Sequence, residues 1–173
     1  TLLDQLKLGL PLLINDTQVS MGLKDPQQHV TPAGMTMLRA LVEQHDRQGR
    51  INNKGFYNYD NNQKHIWPGL KKWLKPEYSI PHQDIKDRLL FRPVIETLLC
   101  LEENILTNVA DANIASILGI GAPLWTGGYA QFVNTYGLTE FIVRCDALAQ
   151  AYGARFNAPD IVYQYEKLGK TFV

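Results

Sequence analysis

The sequence predicts an all-α chain made of two related helical units, the first of them truncated at its N-terminus. Three observations point there. Apolar residues recur at steps of three and four along most of the 173 residues, which is the period of one helix face. No alternating stretch of useful length marks a strand. The order of apolar, polar, acidic and basic positions late in the chain repeats an order found early in it.

Taken in order, Leu2 to Leu8 suits a short helix, apolar at Leu2, Leu3, Leu6 and Leu10. Gly9 interrupts it. Pro11 opens a second helix, where a missing N–H costs nothing, and Gly22 and Pro26 end that helix. Thr31-Pro32 starts a third, with Met35, Leu38, Leu41 and Val42 on one face. Gly49 stops it, with Arg47 near a C-terminal end that favours a cation. A polar loop from Arg50 to Asn62 holds Lys54-Gly55-Phe56-Tyr57, and Phe56, Tyr57 and Tyr59 suit a short extended piece. Trp67-Pro68-Gly69 opens a brief turn with Leu70, Trp73 and Leu74.

The longest helix is expected from Gln83 to about Asn104, striped by Phe91, Val94, Ile95, Leu98, Leu101 and Ile105 and kinked at Pro93. Asn108 and Asp111 form a cap pair for the next helix. Its small residues Ala112, Ala115, Ser116 and Gly119 permit close approach of another backbone. Gly119 to Gly128 is a glycine-rich connection containing Trp125. Two helices follow, Gln131–Tyr136 and Thr139–Tyr152, split by Gly137. Pro159 precedes the last, which ends near Gly169.

The repeat sets Leu3–Leu10 against Gln131–Leu138 and Leu41–Arg50 against Ile161–Lys170. It divides the chain into residues 1–76, a truncated first repeat, 77–82, a linker, and 83–173, a complete second repeat. The first repeat lacks the long helix and glycine-rich connection that precede Gly137-Leu138. Leu2, Leu3, Leu6 and Leu10 are therefore expected to stand partly uncovered.

Composition excludes several function classes. Lysine plus arginine is 17 and aspartate plus glutamate is 17, so there is no broad basic field for nucleic acid. No apolar run is long enough to span a bilayer. Cys100 and Cys145 are too few for a disulfide framework. With His29, His45, His65 and His82 they show no metal-ligand spacing. The chain opens on Thr1 with no signal-peptide pattern, which reads as a fragment.

The remaining motifs read as structural. Gly119–Gly128 lacks a preceding strand and carries Leu124 where a dinucleotide fingerprint needs its third glycine. Glu102 and Glu103 are adjacent on a helix and point apart, so they cannot share a substrate. They read as a solvated face, and Glu96 as a partly buried hydrogen-bonding residue. The cysteines suit small core positions and Trp67, Trp73 and Trp125 inter-helix gaps. Lys71, Lys72 and Lys75 read as a solvated face.

The run Leu101 to Gly128, LEENILTNVADANIASILGIGAPLWTGG, resembles the C-terminal helical region of 3-hydroxyacyl-CoA dehydrogenases. It looks most like the multifunctional fatty-acid oxidation enzymes that add an enoyl-CoA hydratase domain. Leu2-Leu3-Asp4 with Gly9-Leu10, Gly49-Arg50, Lys54-Gly55-Phe56-Tyr57 and Trp67-Pro68-Gly69-Leu70 resemble the family's first helical unit. The resemblance implies the two-unit helical fold of the 6-phosphogluconate dehydrogenase C-terminal-like class. It implies an oxidoreductase parent, NAD-dependent, acting on 3-hydroxyacyl-CoA in fatty-acid β-oxidation. This chain would supply part of the substrate-side wall, a contact with the parent's own Rossmann domain and a subunit interface.

In that family a Rossmann domain binds NAD and carries a catalytic His–Glu pair, and a catalytic Asn followed by Arg opens the first helical unit. All of these would precede Thr1. Asn108 and Asn113 do not match the Asn position. Asp87-Arg88, with Pro93 and Glu96 after it, echoes the Asn-Arg start, but an aspartate is a poor substitute for a neutral amide that orients a thioester. No residue here is therefore expected to be catalytic, cofactor-binding or metal-binding, and the chain alone is expected to be inactive. The resemblance further implies a homo-oligomer, an acyl-CoA substrate for the parent and a thiolase subunit as partner. It implies a cytoplasmic location in a bacterium, or an organellar one in a eukaryote. A stand-alone helical interaction module is the competing reading.

Overall fold

The computed structural model describes residues 2–22, 32–60, 63–75 and 77–173. Pro26, His29 and Thr31 lie outside the described residues. The chain falls into two compact units, Thr1–Ser79 and Ile80–Val173, and both are mostly helical.

In the first unit, helix α1 (Leu2–Leu6) and helix α2 (Gly9–Ser20) are separated at Lys7, whose φ is 78°. The break therefore falls two residues before the glycine that the sequence suggests. The leucines expected to stand uncovered do so. Leu8 and Leu12 are buried, while Leu2, Leu3, Leu6 and Leu10 are exposed. Helix α3 (Pro32–Arg39) runs on as a π-helical turn, Ala40–Gln44, and ends at Asp46, which takes a left-handed φ of 49°. Gly49 does not stop this helix. Leu38 and Leu41 from this segment join Leu8 and Leu12 in a core flanked by Met35, Met37, Val42, Phe56, Trp67, Leu70 and Trp73.

The polar loop contains a feature that apolar periodicity does not give. Strands β1 (Tyr57–Asp60) and β2 (Gln63–Ile66) pair antiparallel, with Tyr57 opposite Ile66 and Asp60 opposite Gln63. Gln63-Lys64-His65-Ile66 is exposed throughout and has no apolar alternation to reveal it. The hairpin is fixed instead by polar groups at its base. Arg47, almost wholly buried, donates through Nε to the Gly55 carbonyl at 2.6 Å and through Nη2 to the Tyr57 carbonyl at 3.2 Å. Its guanidinium lies 4.3 Å from the centroid of the Trp67 ring.

Asp4 completes this arrangement. Its carboxylate is fully buried and accepts from the Phe56 N–H (2.8 Å), the Tyr57 N–H (3.1 Å) and the Tyr59 hydroxyl (2.7 Å). A buried carboxylate is tolerated only when donors replace its water. Here three do. Gly55 is required by the fit, because a Cβ at that position would stand 2.3 Å from the Asp4 carboxylate. The Lys54-Gly55-Phe56-Tyr57 step is thus a receptor for one side chain.

The second unit is built on helix α4 (His82–Glu102), continuous through Pro93. The helix closes at Glu102, so Ile105 lies beyond it and is 67% exposed rather than part of the stripe. Helix α5 (Val109–Ile114) is capped as expected. The Asn108 carboxamide accepts from the Asp111 N–H at 2.7 Å. A π-helical turn, Ala115–Gly119, and a 3-10 turn, Leu124–Thr126, lead to helix α6 (Tyr129–Tyr136). Gly137, with φ 94°, separates it from helix α7 (Leu138–Tyr152), and helix α8 (Asp160–Lys167) follows. Phe91, Val94, Ile95, Leu98, Phe132, Val133, Phe141, Cys145, Leu148, Phe156 and Val162 are buried together. Burial of each such side chain contributes about 1.5–3 kcal/mol.

The C-terminal tail closes this core. Phe172 is buried and stacks on Tyr165, ring centroids 4.5 Å apart. The Asn134 carboxamide accepts from the Phe172 N–H (2.9 Å) and donates to its carbonyl (2.7 Å). Asn134 stands three residues before the positive-φ turn at Gly137, as Asp4 stands three before Lys7.

Two outcomes follow for stability. Asp4→Asn turns an acceptor into a donor that faces donors, and should cost the first unit about 1–3 kcal/mol in urea denaturation. Burial, then the hydrogen bond to Asp4 and its negative charge, push the Tyr59 phenol up to about 12. The folded value lies above the ordinary value of 10.0, so this contribution is complete below that pH and is lost as pH rises towards 12. A difference ultraviolet titration between the parent protein and Tyr59→Phe should place the missing phenol at about 12.

Candidate functional site

The second unit carries an open cleft of about 690 Å³. Its walls are apolar and aromatic: Leu90 from α4, Pro123 and Trp125 from the glycine-rich connection, and Tyr129, Phe132 and Tyr136 from α6. Its polar end is Gln83, Lys86 and Asp87 on the first turns of α4. The volume and the mix of apolar lining with a few polar groups fit a small-molecule site. Trp125 is 70% exposed at the rim, with its ring edge-on to Phe132 at 6.0 Å. It forms a wall of the cleft and does not fill a gap between helices.

A network of charge lies behind the polar end. Arg144 on α7 donates through Nε to Asp87 Oδ2 and through Nη2 to Asp84 Oδ1, each at 2.6 Å. The Tyr152 hydroxyl donates to Asp84 Oδ2 at 2.5 Å, and Gln83 donates to Asp87 Oδ1 at 2.8 Å. Hydrogen bonds from Tyr152 and then Arg144 hold the Asp84 carboxyl below its ordinary value. The stabilisation this brings is complete above pH 3.8 and is lost as pH falls through the lower folded value. Burial of Arg144 opposes its charge, but the bonds it donates to Asp84 and Asp87, with their negative charges, outweigh this and raise its pKa.

Both oxygens of Asp87 thus accept hydrogen bonds. Arg88 points elsewhere, its guanidinium 4.3 Å from the Tyr152 ring centroid. Glu96 pairs with Arg92 one turn away. Glu102 does not belong to a solvated face. Its carboxylate accepts from the Ile161 N–H at 2.8 Å, at the start of α8, while Glu103 is exposed. Burial pushes the Cys145 thiol up to about 12 and, with the charges of Glu96 and Glu103, raises that of Cys100. Both are poor nucleophiles.

The glycine-rich connection leads into α6, but the N-terminal amides of that helix are already bonded. The Tyr129 N–H donates to the Ser116 hydroxyl (3.1 Å), and the Ala130 and Gln131 N–H groups donate to Asn113 Oδ1 (3.1 and 3.0 Å). Gly128 is needed because a Cβ there would stand 2.4 Å from that of Asn113. An anion at this helix end would have to displace Asn113 and Ser116. The role of Asn113 is not visible in the sequence, since its partners lie 17 and 18 residues away.

In the first unit Lys72 is not simply solvated. Its ammonium contacts His45 Nε2 at 2.7 Å and lies 4.0 Å from the centroid of the Trp73 ring. Among the described residues no three His, Cys, Asp or Glu side chains gather as a metal ion would need. No described helix is long and apolar enough to cross a membrane.

Comparison with known proteins gives one consistent result. No family model matches the chain. The fatty acid oxidation complex subunit alpha of Vibrio parahaemolyticus is 32% identical over 128 residues, 73% of this chain and 18% of that protein. The protein of the same name from Vibrio vulnificus is 34% identical over 66% of this chain and 16% of its own length. That of Acinetobacter baumannii is 29% identical over 73% of this chain and 19% of its own length. The chain thus spans less than a fifth of the length of these relatives. Over 73% of its length it is homologous to one segment of the fatty acid oxidation complex alpha subunit.

Proposed function

We propose that this chain works as a helical, non-catalytic region of a fatty-acid β-oxidation enzyme, an NAD-dependent 3-hydroxyacyl-CoA dehydrogenase. The single observation that carries this reading is the identity to fatty acid oxidation complex alpha subunits across most of the chain. In this role the chain contributes to the substrate-side wall, meets an NAD-binding domain and takes part in a subunit interface. A thiolase subunit and a second copy of the parent are the partners the reading calls for.

The site geometry is compatible with it. The oxygens of Asp84 and Asp87 each hold a hydrogen bond from Tyr152, Arg144 or Gln83. Asp87 and its neighbours therefore orient α4 against α7 and hold the polar end of the cleft.

A chimera tests the reading. This chain replaces the matching segment of the Vibrio parahaemolyticus subunit. The purified chimera should oxidise 3-hydroxyacyl-CoA with reduction of NAD, while the chain alone gives neither calorimetric NAD binding nor turnover. A folded chimera without dehydrogenase activity, or turnover by the chain alone, rejects the proposal. In the same chimera Asp87→Asn should leave the rate per folded molecule within about twofold while costing about 1–3 kcal/mol of stability. A rate loss of about tenfold, equivalent to about 1.4 kcal/mol of barrier, would give Asp87 a part in the chemistry.

A further inference from the structure

Three arginines gather beside Tyr152 and Phe156 in the second unit. Arg88 and Arg92 stand one turn apart on α4. The Arg88 guanidinium lies 4.3 Å from the Tyr152 ring centroid, and that of Arg155 lies 5.1 Å from the Phe156 ring centroid. The two rings are themselves neighbours, 6.4 Å apart and edge-on. Arg92 donates to the backbone carbonyl of Arg155 and to Glu96. It thereby ties the 3-10 turn Ala154–Phe156 to α4 and sets Arg155 near Arg88.

Arg88 lies close enough to Asp84 for its charge to help hold that carboxyl down, but Asp84 is already bonded by Arg144 and Tyr152. The nearby acids are engaged: Asp84 by Arg144 and Tyr152, Asp87 by Arg144 and Gln83, Glu96 by Arg92. Set against these three carboxylates, Arg88, Arg92, Arg144 and Arg155 leave one cation in excess. Burial first, and then the like charges of Arg88 and Arg92, lower the pKa of Arg155. Such crowding costs free energy that an anion would relieve.

We infer that Arg88 and Arg155, positioned by Arg92, form a binding site for a phosphate-type oxyanion, a phosphate monoester or a pyrophosphate group. A guanidinium laid on an aromatic ring uses its face, which leaves the N–H edge for bidentate bonds to phosphoryl oxygens. Two such edges on adjoining rings match a group with several acceptor oxygens. The site does not depend on the β-oxidation reading, because it uses only side chains of the second unit.

Calorimetry on the full chain with inorganic pyrophosphate tests the site, with nuclear magnetic resonance of the arginine Nε–H groups as the second readout. The expected result is one saturable site with Kd of about 1 mM or tighter. Arg88→Gln and Arg155→Gln should each weaken it by roughly tenfold, and Arg155→Lys by less. In the unaltered protein the Nε–H signals of Arg88 and Arg155 should move on titration while that of Arg39 stays. Two further arms identify the source of the phosphate. Capture by phosphatidylcholine vesicles containing phosphatidic acid, reversed by pyrophosphate, indicates a lipid headgroup. Pyrophosphate binding without vesicle capture indicates a soluble phosphate ester. Absence of saturable binding, binding that survives both glutamine substitutions, or unmoved Arg88 and Arg155 signals overturns the site.

Discussion

The fold of the first unit hangs on a carboxylate that has no access to water. Asp4 sits near the start of the chain, and its three donors lie 52 to 55 residues further along. Apolar contacts are forgiving of direction and distance, whereas a buried anion is not. The backbone from Gly55 to Tyr59 therefore has one acceptable position relative to α1. The buried Arg47 meets the same segment through its carbonyls, so both polarities of the backbone are answered by side chains. Among the described residues the first unit's buried core is four leucines, Leu8, Leu12, Leu38 and Leu41, so these polar bonds define much of its geometry.

The second unit uses the same device with different chemistry. Asn134 must both accept from and donate to Phe172, which a carboxamide does and a carboxylate cannot. Asp4 meets donors alone, which suits a carboxylate. The choice between aspartate and asparagine at these places follows from what the opposing backbone offers. The larger apolar core of this unit means the polar clamp fixes the tail rather than the whole packing.

Helical periodicity carried most of the fold. Phe91, Val94, Ile95 and Leu98 face the core as their spacing implies, and the Asn108–Asp111 cap forms. Local reading failed where the deciding partner was distant or where backbone geometry overrode composition. The first helix breaks at Lys7, which takes a positive φ, and not at Gly9, because the chain must turn before Leu8 reaches the core. The β1–β2 hairpin has one strand with no apolar pattern and is fixed from outside by Arg47 and Asp4. The cleft was invisible because Gln83, Pro123 and Tyr136 come together only in three dimensions. Asp87 was singled out only through the resemblance of Asp87-Arg88 to the Asn-Arg start of the family's first unit. Its partners Arg144 and Gln83 were not legible, since the first lies 57 residues away.

The placement of the tryptophans governs what optical measurements of this protein can see. Trp67 and Trp73 pack against the first unit's core, with their rings 6.2 Å apart. Trp125, the second unit's sole indole, already faces solvent. Unfolding moves the first pair from a half-apolar setting into water and changes the surroundings of Trp125 little. Emission-wavelength melts therefore follow the first unit almost alone, while circular dichroism weights the longer helices of the second. Transitions that disagree between the two probes would then report two units melting separately, rather than an intermediate within either one.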